Sequence, residues 1–167
     1  MQFRSSSLAL AAGLVATVAA AHPHFNKTVT VVLPGGAEAK ISYNTTSANE
    51  ELAHAVAVGE FATPRRPVLE LSADVSAGGT AIAAGEYTIG VVRKGENEWV
   101  MALHPGRLGR GDQPDSSKLI ELDSHFSTSM GTAEHMLIDV TPGSGEGSGQ
   151  VLLTLHFGSM FLSGTLS

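Results

Sequence analysis

Histidine is the side chain best supplied for chemistry in this chain: there are seven, and no cysteine. Thiolate catalysis, cysteine-rich zinc sites and lipid attachment through an N-terminal cysteine are therefore excluded. The sharpest constellation is His22-Pro23-His24-Phe25, which follows directly on Ala19-Ala20-Ala21. Cleavage after Ala21 would give His22 a free α-amine. That amine and the His22 imidazole can chelate Cu(II), whose square-planar preference suits nitrogen ligands. His24 and a third histidine from the body of the protein are the candidates to complete such a metal site. Pro23 has no amide proton to lose, so the copper motif that uses two backbone nitrogens and a third-position histidine cannot form in full. Cleavage one residue earlier would place Ala21 first instead. The alternative is a frayed polar tail ahead of the first strand.

The remaining histidines, His54, His104, His125, His135 and His156, are scattered. No pair has the i, i+4 spacing with an intervening glutamate of a zinc protease, and they read as solvent-facing strand residues. There is no Gly-x-Ser-x-Gly elbow. Glu50-Glu51, or Glu121 with Asp123, would serve a glycosidase only at a suitable separation in space, and otherwise simply solvate a face. The segment 143–149 lacks the Lys-Ser/Thr of a phosphate-binding loop. Arg110-Gly111-Asp112 is an integrin-type tripeptide, but a three-residue match in a polar loop is weak evidence of adhesion. Trp99 and Tyr87 could form a sugar platform if exposed. Both lie within apolar strands, which places them in the core.

Residues 1–21 have the layout of a signal peptide: one positive charge, Arg4, an uncharged run from Leu8 to Ala21, and small residues at the cleavage point. The run is too short and too rich in Ala, Gly and Thr to span a bilayer. Residues 22–167 are then expected to form a single exported domain, secreted to the exterior or, in a Gram-negative bacterium, to the periplasm, with no membrane span. A chain of that length can build one independent core without disulfides. Removal of Arg4 leaves nine basic and 16 acidic residues. This acidic excess argues against nucleic acid or an anionic membrane as partner. Asn26-Lys27-Thr28 and Asn44-Thr45-Thr46 are glycosylation sequons only in a eukaryotic secretory pathway.

The elements that must position these residues are mostly strands. Thr28 to Leu33 is β-branched and stops at Pro34-Gly35-Gly36, predicting a hairpin to Glu38–Tyr43. Ser47 to Val58 could form a short helix, with Ser47 as N-cap and Glu50 closing a capping box, or could run as a strand through Ala55 to Val58. Thr63-Pro64-Arg65-Arg66-Pro67 disfavours helix and interior strand alike. Period-2 alternation then marks Val68–Asp74, a Gly78-Gly79 turn, Glu86–Val92, a loop at Lys94–Asn97 and a return through Glu98–Leu103. His104 to Lys118 reads as a long exposed loop, the kind of segment that is often functional. Leu119–Leu122, Glu134–Thr141, Gln150–Phe157 and Met160–Leu166 complete the set, the last two joined by a Gly158-Ser159 turn. About nine strands and at most one short helix predict an all-β, antiparallel β-sandwich.

The stretch Ala73-Asp74-Val75 to Gly78-Gly79, then Ile82-Ala83-Ala84-Gly85-Glu86-Tyr87-Thr88-Ile89 and Glu98-Trp99, resembles the domain of unknown function 2911 family of exported proteins. The resemblance covers Val68 to Leu103 and extends to the closing strands, Leu152 to Leu166. It implies export and a β-fold without supplying an activity. The family's Trp-Arg-x-Gly-x-Asn segment, just upstream, is replaced here by Phe61-Ala62-Thr63-Pro64-Arg65-Arg66-Pro67. The residues favour a non-enzymatic binding or structural module, partnered by a small ligand or an extracellular protein. A copper protein using His22 and a carbohydrate-binding module are the alternatives.

Overall fold

A computed structural model describes residues 25–33, 35–145 and 148–167. The leader, His22 and His24 lie outside the described residues, as do Pro34 and positions 146 and 147. The fold is all-β, built from two antiparallel sheets that share one core. The first sheet contains β1 (Asn26–Val32), β2 (Glu38–Asn44), β4 (Val68–Leu71), β7 (Gly85–Gly95), β8 (Glu98–Pro105) and β9 (Ile120–Glu121), in the order β1-β2-β4-β7-β8-β9, with β3 (Phe61–Ala62) also paired to β7. The second has the order β10-β13-β12-β11, from β10 (Asp123–Ser127), β13 (Met160–Leu166), β12 (Val151–Gly158) and β11 (Ala133–Pro142). A small ribbon, β5 (Val75–Ala77) with β6 (Thr80–Ile82), is held to the chain end by reciprocal backbone bonds between Ser76 and Ser167.

Alternation decides which residues fill the space between the sheets. Ile41, Leu69, Ile89, Met101 and Leu103 from the first sheet meet Met136, Ile138, Leu153 and Leu162 from the second in one buried cluster. The Ile138 N–H donates to the Tyr43 hydroxyl at 3.1 Å, a buried bond that fixes β11 against β2. The chain changes sheet at Leu122, whose N–H donates to the Met101 carbonyl, and Ser124 Oγ accepts from Met101 N.

Among the described residues thirteen strands form where about nine are expected. The nine predicted from pattern are all present; the additional ones are β3, β5, β6 and β10. Three of these are two or three residues long, too short for period-2 alternation to register. The helix is shorter than expected and starts later. It is α1 (Glu50–His54), and its N-cap is Asn49, whose side chain accepts from Leu52 N at 3.2 Å, rather than Ser47. Residues 46–48 stay extended because they pair with the edge of β11: Ala48 N bonds Glu134 O, Met136 N bonds Thr46 O, and Ser47 bridges His135. Residues 55–58 do not form a strand.

The expected turn at Gly158-Ser159 joins β12 to β13, with Phe157 opposite Met160. Gly158 has φ 63°, and a Cβ there would collide with the Glu50 carboxylate. Gly158→Ala is therefore expected to lower the unfolding free energy by about 2 kcal/mol, from left-handed strain and displacement of Glu50. Urea titration of both proteins checks this.

Candidate functional site

A cavity of about 410 Å3 opens between the two sheets beneath α1. Its wall is built from separated parts of the chain. The first sheet contributes Val91 and Trp99, the second Leu155, Phe157 and Leu162, and α1 contributes Ala53. The 63–65 turn forms another part of the wall, and Leu52, 68% exposed, is an apolar residue of α1 beside it. Among the described residues none of those lining the space is acidic; the polar lining is Thr46, Ser47, Asn49, Thr63 and Arg65. A second cavity, of about 180 Å3, lies beside Leu33, Val75, Val151 and Leu166.

Two side chains hold α1 over the larger cavity. Glu50, in its first turn, accepts from both the backbone N–H and the hydroxyl of Ser159. At its other end, Arg93 Nη1 donates to the carbonyls of His54 and Val56, at 2.6 and 2.8 Å, while its Nε donates to Gly95 O. The Arg93 guanidinium also lies 5.8 Å from the centre of the Trp99 ring, within cation–π range. Trp99 is thus a shared support: it packs in the core, carries Arg93 and lines the cavity. Its Nε1 is buried without a hydrogen-bond partner among the described residues.

The two Ser159 hydrogen bonds, backbone first, hold the Glu50 carboxyl below its ordinary value near 4.5; His54 adds a smaller pull downward, against partial desolvation. A depressed carboxylate pKa contributes stability above the unfolded value and loses it as pH falls through the folded value. Wild type is therefore expected to melt at a higher temperature than Glu50→Gln at pH 7, with the gap narrowing as pH falls below the ordinary carboxylate range. Paired thermal melts across that range check it.

The sequence-predicted candidates do not converge. His22 and His24 lie outside the described residues. Among the described residues, no group of three or more His, Asp or Glu side chains is placed to hold a metal ion. His54 and His125 are exposed, while His135 and His156 are half-buried. His156 donates to the Gly131 carbonyl at 3.4 Å and packs edge-on against Phe161. His104, read as solvent-facing, is instead buried at the end of β8. Its Nε2 accepts from Asp115 N at 3.1 Å, so its proton sits on Nδ1, which has no partner among the described residues. The predicted loop therefore begins after β8, and it is tied to the sheet. Leu108 N donates to Thr88 Oγ1, which itself donates to Gly106 O. Asp112 of the Arg-Gly-Asp tripeptide turns inward on its own loop and accepts from Gly109 N. Asp115 caps a 3-10 turn at Ser116–Lys118; bonds from Ser117 and Lys118 pull its carboxyl down to about 2. Trp99 and Tyr87 are 3% and 6% exposed, so neither presents a ring to a sugar. Tyr87 donates its hydroxyl to Ala83 O, and the preceding Gly85, at φ 146°, makes the turn into β7.

Sequence reasoning passed over Arg93, Arg65 and the structural use of Glu50. The predicted hairpin loop at Lys94–Asn97 would set Arg93 opposite Glu98; an irregularity between Arg93 and Gly95 shifts the register so that Arg93 pairs with Trp99. No sequence signal announces the cavity.

Fold and cavity together define a two-sheet β-sandwich with an apolar chamber closed by a short, doubly anchored helix. No family model, curated protein or solved structure matches the chain. Among the described residues no helix is long and apolar enough to cross a membrane.

Proposed function

We propose that the protein is an exported binding module whose ligand is a small, mainly apolar molecule held between the sheets beneath α1. The observation that carries this reading is the cavity: about 410 Å3, walled by Trp99, Leu155, Phe157, Leu162 and Ala53. Ligand chambers are commonly 300–1,000 Å3, largely apolar, with a few polar groups that set orientation. An apolar cavity of this kind is poorly served by water, which needs several polar partners to be held. An apolar molecule gains both burial and dispersion contacts there.

The neutral fluorophore N-phenyl-1-naphthylamine tests the reading. It is expected to bind saturably, one molecule per chain, with a rise in emission. Emission that climbs without saturation, or that does not change, would overturn the proposal.

A further inference from the structure

Arg65 occupies a position that arginine does not favour. Arg66 N donates to Thr63 O across Pro64 and Arg65, and Arg65 has φ 58°. Proline second and a positive φ third is type II turn geometry, in which the third residue is usually glycine. Arg66 follows at φ 49°. The surroundings enforce the turn: Thr63 Oγ1 donates to Ile89 O, and Ile89 N donates to Pro67 O. Gly90 lets the segment lie close, since a Cβ there would strike the Phe61 ring and the Ala62 carbonyl. Side chains kept in strained backbone at a binding site point to a role for the side chain itself.

Arg65 is an exposed residue that forms part of the cavity lining; like Arg66 and Arg110, its guanidinium makes no ion pair or hydrogen bond among the described residues, whereas Arg93 and Arg107 are both engaged. Among the described residues it is the single charged group in the lining. We infer that the cavity takes an aliphatic carboxylate, with the alkyl chain between the sheets and the carboxylate on Arg65. This rests on the reading of the cavity as an apolar small-molecule site. Guanidinium and carboxylate match in a two-point hydrogen-bonded pair, and no acid in the lining opposes an anion.

Calorimetric titration with decanoate and with decanol, which share a chain length and differ in head group, separates the two claims. Wild type is expected to bind decanoate about five- to tenfold more tightly than decanol, with the difference shrinking as salt is raised. Arg65→Gln is expected to weaken decanoate binding until it matches that of decanol, with the larger loss on decanoate. Arg65→Gly should do the same while melting no lower than wild type, because glycine fits the turn. Equal binding of the two ligands by wild type, or a preference that survives Arg65→Gln, overturns the carboxylate assignment alone. Failure of both to bind overturns the cavity reading, and the assignment with it.

Discussion

Trp99→Ala is expected to lower the unfolding free energy by about 3–5 kcal/mol, the range for removing a large buried aromatic. Three losses combine. The ring leaves the shared core, where it is 3% exposed. The vacated volume adjoins a chamber of about 410 Å3, so the site has little to collapse onto. Arg93 loses the ring against which it lies, and Arg93 is the side chain that bonds the His54 and Val56 carbonyls at the end of α1. Trp99→Phe separates packing from polarity. Phenylalanine keeps most of the apolar contact and removes an indole N–H that has no partner among the described residues, a group whose burial is itself unfavourable. Its expected change is about 1 kcal/mol or less. Urea melts followed by far-UV circular dichroism measure both variants without relying on the lost fluorophore. A Trp99→Phe cost equal to that of Trp99→Ala would contradict this division of roles.

Ala53→Trp should have the opposite profile, a large effect on binding and a small one on stability. Ala53 is half-buried on α1 and lines the cavity. In a filled core an added indole would force strain of about 1–3 kcal/mol. Here there is space for it, so the unfolding free energy is expected to change by no more than about 1 kcal/mol. The ring would occupy the ligand's volume, and affinity for N-phenyl-1-naphthylamine should fall by roughly a hundredfold, equivalent to about 2.7 kcal/mol. Unchanged affinity in a folded Ala53→Trp protein would place the bound fluorophore elsewhere.

Several strands were legible because one face of each is buried. The alternation in Glu38–Asn44 and in residues 151–155 reproduces the burial found there. The Gly158-Ser159 turn was legible because a two-residue hairpin needs a positive φ. The helix start was not, since Ser47 and Glu50 look like a capping box until β11 claims residues 46–48 and Ser159 claims Glu50. Those competitors are 86 or more residues away along the chain. The cavity was illegible for the same reason: Ala53, Arg65, Trp99 and Leu155 meet only after the sheets stack. His104 was misread because strand position alone does not say which end of a strand a loop will cover. The turn at Thr63–Arg66 was recognised as a break in the strands, but proline there also sets up the backbone that carries Arg65 to the cavity.

The most direct test of the apolar site is a 15N and methyl NMR titration with decanol, a ligand without the carboxylate assigned to Arg65. The chain has one tryptophan, so Trp99 gives a single indole N–H signal. That signal and the methyl resonances of Leu155 and Leu162 are expected to shift together and saturate at one decanol per chain. Shifts centred instead on Val151 and Leu166, around the smaller cavity, or no saturable shift at Trp99, would contradict the assignment of the binding site.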